Sequence, residues 1–170
     1  GKLSAEVIGI AIPTNPVAYS VGASNNLTVF DFTKSNAPVS KAITGLQMSE
    51  TILGIDMRPL TGQLYALGSS NRLYTINMAS GIATAVGTGP FDPVLKGNSF
   101  GFDFNPTVDR IRIVSDLGQN LRANPITGVI AAIDADLNPG VPAVSAAAYV
   151  SNFAGATTTT LYDIDVTADK

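Results

Sequence analysis

The feature that most constrains this chain of 170 residues is a phrase that its sequence contains twice. GIDMRPLTGQLYALG runs from Gly54 to Gly68, and GFDFNPTVDRIRIVS follows about 47 residues later, from Gly101 to Ser115. At that spacing about 30 consecutive positions align without a gap, and four pairs show the match best: Asp56 with Asp103, Pro59 with Pro106, Asn77 with Asn124, and Gly81 with Gly128. A period of about 20–50 residues is typical of solenoids, propellers and other repeat architectures.

The period extends in both directions. VAYSVGASNNLTVFDF, from Val17 to Phe32, matches QLYALGSSNRLYTINM, from Gln63 to Met78. Near the C-terminal end, AAYVSN and TLYDID resemble the opening of a further copy whose first turn is lengthened by FAGATTTT, in which the Thr tract most simply starts a strand. The chain therefore holds about three and a half repeats of about 45 residues, with approximate bounds 9–50, 51–97, 98–143 and 144–170 inside one domain, 1–170.

Each repeat has the pattern of short strands joined by tight turns. In GQLYALG, Leu64 and Ala66 alternate with Tyr65 and Leu67, and such period-two alternation predicts a strand. The turns NMASG and NPITG end in a Gly suited to a left-handed backbone conformation. Four short strands in about 45 residues are the size of a propeller blade. We therefore predict an all-β fold, a β-propeller-like repeat of four-stranded blades, ahead of a solenoid or a sandwich.

The composition excludes several classes of function. The chain has no Cys and no His, which rules out a Ser-His-Asp triad and makes a zinc, copper or haem site improbable. Its net charge of −3 argues against nucleic acid as a partner. The sequence contains no run of 18 apolar residues, so we predict no membrane span. The low charge and the many small polar residues are typical of an exported protein, so we expect a secreted or cell-surface location.

Three residues are candidates for ligand binding. Asp56 and Asp103 fall at one phase of the predicted innermost strand, which lines the channel of a propeller. Repeated carboxylates there suit a cation or a sugar hydroxyl. Alternatively, they cap turns or bond neighbouring backbone amides in their own blade, and Ala11 at this phase in the first copy weakens a ring of ligands. Arg112 is the third candidate. With Arg110 and Arg122 it forms either a cationic strip for an acidic glycan or surface ion pairs with nearby aspartates, for which the sequence offers Asp103, Asp109 and Asp116.

A weak calcium motif lies in DADLNPG. Asp134, Asp136 and Asn138 stand at alternate positions, as oxygen ligands do at the start of calcium loops, but Pro139 replaces the usual Gly and no Glu closes the loop. A solvated loop is the alternative. Tyr19, Tyr65 and Tyr162 recur in the predicted second strands, where an aromatic ring packs between blades or stacks on a sugar.

Three stretches resemble a bacterial domain of unknown function: GIDMRPLTGQLYALGSSNRLYTIN, FGFDFNPTVDRIRIVSDLGQNLRANPITG and AGATTTTLYDID. The similarity covers about Val17 to Asp165 and implies export and a propeller-like fold, without a reaction. The chain departs from that family in a shorter loop, DADLNPGVPA, and in having no further repeats after TLYDID. Because three and a half blades do not close a ring, we expect another copy or a second polypeptide to complete it.

The leading functional hypothesis is therefore a non-enzymatic, exported β-propeller module with a structural, assembly or adhesive role at the cell surface. It needs no cofactor, although calcium is possible. Two alternatives stay open: a calcium-dependent hydrolase or lactonase-type propeller, which needs Asp, Asn and Glu converging from several blades, and a carbohydrate-binding module with a glycan as partner.

Overall fold

The computed structural model of the chain describes residues 7–11, 17–31, 38–138, 140 and 142–167, and every described element of regular structure is a strand. Three antiparallel sheets of four strands and one of two strands follow one another along the chain. The first sheet comprises β1 Val7–Ala11, β2 Val17–Gly22, β3 Asn26–Asp31 and β4 Val39–Ala42. The second comprises β5 Ile52–Met57, β6 Leu64–Gly68, β7 Arg72–Ile76 and β8 Ala83–Val86.

The third sheet comprises β9 Phe100–Asn105, β10 Arg110–Ser115, β11 Asn120–Ala123 and β12 Ile130–Ile133, and the fourth β13 Val144–Tyr149 and β14 Leu161–Asp165. Within each sheet the strands lie in sequence order. The first strands of successive sheets, β1, β5, β9 and β13, contact one another in turn. The sheets are therefore propeller blades whose innermost strands surround an axis, which confirms the predicted fold class. We number them blades 1 to 4.

Alternation along each strand sends side chains to both neighbouring blades. Leu64 and Ala66 pack toward blade 1, whereas Tyr65 and Leu67 pack toward blade 3. Two apolar cores result, one between blades 1 and 2 and the other between blades 2 and 3. The predicted faces of this strand are confirmed. The Thr tract from Thr157 to Thr160 precedes β14 rather than starting it, so that expectation was wrong.

Two glycines at one phase of the repeat allow the innermost strands to approach closely. A Cβ added to Gly54 would lie 2.7 Å from Cβ of Phe102, and a Cβ added to Gly101 would lie 2.5 Å from Cβ of Ala147. Both distances are shorter than carbon atoms tolerate. The glycine that opens each copy of the repeated phrase is therefore a packing requirement between consecutive blades.

Polar side chains hold the turns and the links between blades. The Asn77 side chain accepts hydrogen bonds from the amides of Ala79 and Ser80, Gly81 has φ of 79°, and the aligned turn from Asn124 to Gly128 is built in the same way. The buried Glu50 accepts from the hydroxyls of Ser70 and Tyr74 at 2.5 Å each. Burial opposes ionisation of Glu50, yet these hydrogen bonds outweigh it and lower its pKa.

We expect Phe104→Ala to destabilise the protein by about 3–5 kcal/mol, because Phe104 is fully buried between blades 2 and 3 and its removal leaves a cavity. Urea unfolding followed by far-UV circular dichroism measures this. Phe153→Ala is the matched control: Phe153 is 57% exposed, and its loss should change the free energy of unfolding by less than about 0.5 kcal/mol. Equal effects of the two substitutions would contradict the packing described above.

Candidate functional site

The two candidate aspartates connect consecutive blades. Oδ2 of Asp56 in blade 2 accepts a hydrogen bond of 2.8 Å from the backbone amide of Phe104 in blade 3. Oδ2 of Asp103 in blade 3 accepts one of 2.7 Å from the amide of Tyr149 in blade 4. An innermost strand has a strand partner on one side only, so alternate amides point away from its own sheet. Each aspartate supplies an acceptor for one such amide of the next blade.

The two carboxyls are buried and close enough to influence each other. Asp56 and Asp103 are only 5% and 7% exposed. Burial raises the pKa of Asp103 to about 8, and the charge of Asp56 adds to the rise. Burial also raises the pKa of Asp56, to about 6, against the effect of hydrogen bonds from the Phe104 and Met57 amides and from Asp103. Because two buried like charges repel, the pair retains a proton near neutral pH.

Asp56 and Asp103 bond backbone amides, as one of the interpretations of the sequence had it. Those amides, however, belong to the next blade and not to the blade of the aspartate. The structure places both carboxyls among packed innermost strands. Ala11 and Ala148 occupy the same phase in blades 1 and 4, as the strand registers show. The repeated aspartate is thus confined to blades 2 and 3.

The residues opposite this phase on the second strands differ between blades. Ala11 pairs with Tyr19 and Ala148 with Tyr162, whereas Asp56 pairs with Tyr65 and Asp103 with Arg112. Tyr65 is 3% exposed, packs edge-on against Phe104 and donates from its hydroxyl to the carbonyl of Pro125 at 3.1 Å. Tyr65 is therefore a packing residue between blades 2 and 3, and Arg112 takes its place in the next interface.

An ion pair that the sequence analysis missed closes the interface between blades 2 and 3. Arg58, which is buried, donates from Nε and Nη2 to the two carboxylate oxygens of Asp109 in the turn before β10. The hydrogen bonds to Asp109 raise the pKa of Arg58 above its ordinary value. The two residues are 51 positions apart and fall at different phases of the repeat, so neither the period nor a motif points to the pair.

Arg112 lies on the face of blade 3 that meets blade 4. It donates to Oη of Tyr149 at 3.2 Å, to Oδ1 of Asn120 and to Oδ2 of Asp134. Arg122 donates to the other oxygen of Asp134 at 2.6 Å. Both arginines therefore share one aspartate.

The aspartates expected as ion-pair partners of Arg112 and Arg122 were wrong, whereas Arg110 does contact Asp109, by donating to its backbone carbonyl. Asp103 bonds the Tyr149 amide, Asp109 bonds Arg58, and Asp116 accepts a hydrogen bond from the amide of Asn98. The aspartate that the arginines do share is Asp134 in the loop after β12, one of the three residues of the weak calcium motif.

The residues of the weak calcium motif are thus engaged differently. The hydrogen bonds from Arg122 and Arg112 lower the pKa of Asp134, although its burial acts in the opposite direction. Asn138 donates from its side chain to the backbone carbonyl of Asp136, at 3.4 Å. Among the described residues no three or more acidic side chains converge in a way that would hold a metal ion.

No described helix is long and apolar enough to cross a membrane.

The chain belongs to the family described as "Domain of unknown function (DUF4394)", whose model matches residues 26–170. No curated protein matches the sequence. Among solved structures, "YCF48 bound to D1 peptide" is similar with a TM-score of 0.61 at 12% identity, covering 89% of this chain and 47% of that one. The chain therefore spans about half of that β-propeller, and the likeness shows the fold alone.

We expect Asp103→Asn to flatten the pH dependence of stability. A carboxyl whose pKa is raised on folding binds more protons in the folded than in the unfolded state, so the contribution of Asp103 to stability is greatest near pH 4 and is lost as the pH rises to about 8. Asn keeps an oxygen for the Tyr149 amide but does not ionise. The variant should therefore melt several degrees above the wild type at pH 8, and thermal unfolding from pH 4 to 9 measures this.

The control is Asp136→Asn, which changes an exposed carboxylate in the loop after β12. It should keep the wild-type dependence on pH. If Asp103→Asn and the wild type lose stability in parallel between pH 4 and 8, the buried pair does not carry the effect.

We also expect calcium to leave the melting temperature unchanged, because both oxygens of Asp134 are held by arginines. Differential scanning fluorimetry in calcium chloride and in chelator makes the comparison. A calcium-dependent rise that Asp136→Asn abolishes would instead show that the loop binds the ion.

Proposed function

We propose that this chain is a non-catalytic, exported β-propeller module that works by joining polypeptides, with β14 as the point of attachment. One observation carries the proposal. Tyr162 on β14 is 63% exposed, whereas Tyr65, at the same phase of blade 2, is 3% exposed. The face that blade 2 buries against blade 3 is therefore exposed on blade 4, within the part of the chain that the structure describes.

The backbone of β14 is also available for pairing with a further strand. Its counterparts β6 and β10 each pair with strands on both sides, whereas β14 pairs only with β13 among the described residues. Ile164 on the strand and Val166 just after it are also exposed. An open edge with alternating apolar side chains is a template for the addition of another strand. We take the occupant to be a second copy of this chain, since each copy carries repeats of the kind that such a sheet accepts.

The chemistry of the chain supports a role without turnover. It has neither His nor Cys, and its buried carboxyl pair is engaged with backbone amides of the next blade. A calcium-dependent hydrolase needs several free carboxylates facing one ion, and Asp134 is bonded to two arginines. The YCF48 structure was determined with a peptide bound, which supports a polypeptide as the partner here too. The low charge of the sequence supports export.

Ile164→Lys and Tyr162→Lys should weaken self-association of the 170-residue chain at least tenfold, because each places a charge on the apolar face of β14. Light scattering coupled to size exclusion, run over a range of protein concentrations, measures the association. The wild type should form dimers or larger assemblies as the concentration rises.

Leu117→Lys is the matched control, because Leu117 is similarly exposed but lies in the turn between β10 and β11. It should associate like the wild type. A wild type that is a monomer at every concentration would overturn the proposed attachment, as would equal weakening by all three substitutions.

A further inference from the structure

The interface between blades 1 and 2 contains a cavity. It has a volume of about 770 Å³ and lies where β2 faces the start of β6, the end of β7 and the turn leading to β8. Its described lining includes the side chains or backbone of Tyr19, Gln63, Asn77, Met78 and Ser80. Cavities that bind small molecules commonly have volumes of about 300–1,000 Å³.

The repeat itself shows why the cavity is open. Between blades 2 and 3 the Tyr65 hydroxyl donates to the carbonyl of Pro125. Tyr19 occupies the phase of Tyr65, and Met78 occupies the phase of Pro125 in the equivalent turn. Tyr19 and Met78 both line the cavity, and no hydrogen bond joins them. A donor and an acceptor that the next interface joins by a hydrogen bond are here both part of the cavity wall.

Substitutions between the repeats remove the other groups that close the neighbouring interface. Met57 stands at the phase of Phe104, so a flexible side chain replaces an aromatic ring. Gly62 stands at the phase of Asp109, and both have positive φ, 69° and 50°. No carboxylate is therefore available in blade 2 to form an ion pair like that of Arg58.

The walls of the cavity suit a neutral, hydroxyl-rich ligand. None of the described residues that line it is charged. Amide and hydroxyl residues alternate along the wall with aliphatic ones such as Leu64 and Ile76, and the ring of Tyr19 is partly exposed. A sugar hydroxyl both accepts and donates hydrogen bonds, so one hydroxyl can serve Tyr19 and a backbone carbonyl together. The apolar face of a sugar ring packs on an aromatic ring.

We infer that this cavity binds a neutral oligosaccharide, with Tyr19 as the stacking residue and hydrogen-bond donor. The site is separate from β14 and does not depend on the proposed self-association. It also differs from the axis, where the sequence analysis had considered sugar binding by Asp56 and Asp103. Those carboxyls are buried, whereas the cavity opens to solvent at the outer part of the blades.

The test uses the whole chain and a panel of neutral trisaccharides: cellotriose, maltotriose, xylotriose and chitotriose. Nitrogen-15 NMR spectra of the protein are recorded during titration. At least one trisaccharide should shift the amide signals of Tyr19, Gln63 and Ser80. Ala79→Trp places a large ring at an exposed position of the cavity wall and should weaken that binding at least tenfold. Tyr19→Phe keeps the ring and removes the hydroxyl, so it should weaken binding severalfold.

A matched control comes from the repeat. Ile126→Trp alters the position in blade 3 that corresponds to Ala79 and is likewise exposed. It should bind like the wild type. The inference is overturned if none of the trisaccharides shifts the cavity signals, if Ala79→Trp binds as well as the wild type, or if only peptides added as a comparison produce the shifts.

Discussion

The structure depends on a hydrogen bond between a buried carboxyl and a backbone amide of the next blade. Strands at the axis of a propeller pair only with their own sheet, so their remaining amides need acceptors from elsewhere. Asp56 and Asp103 provide them for Phe104 and Tyr149. Two carboxyls so close together cannot both ionise without strong repulsion. The proton that they retain is the electrostatic consequence of joining three blades through the same side chain at the same phase.

The three interfaces between blades use one repeat with different substitutions. Between blades 2 and 3, the aspartate bond is joined by Tyr65 and by the pair of Arg58 with Asp109. Between blades 3 and 4, Arg112 replaces the tyrosine and donates to Tyr149. Between blades 1 and 2, alanine replaces the aspartate, and an open cavity remains. A position that is constant in two repeats and altered in the third therefore marks an interface whose contacts differ from those of the other interfaces.

The blades could be predicted because two periods in the sequence follow burial. The repeat of about 47 residues predicted the positions of the innermost strands, and the two-residue alternation predicted that Leu64 and Tyr65 lie on opposite faces of their strand. The partner of each aspartate was not predictable, because an amide carries no sequence signal. Arg58 and Asp109 meet across two phases of the repeat. The alternate spacing of Asp134, Asp136 and Asn138 predicted a weak calcium motif or a solvated loop, and it carried no sign of the arginines 12 and 22 positions earlier that bind Asp134. The cavity was not predictable either, because it depends on how Tyr19 and the turn at Met78 lie in three dimensions.

Tyr149 explains how a sheet of two strands stays attached although β14, in the described ranges, pairs with a strand on one side only. An isolated hairpin is only marginally stable in water. Here the amide of Tyr149 bonds Asp103, its hydroxyl accepts from Arg112, and the neighbouring Ala147 packs against Gly101. Blade 3 therefore holds β13 from the side of the axis, and β13 holds β14 by pairing. Because support comes from behind and none of it involves the outer edge of β14, that edge can accept another strand without loss of the contacts that position it.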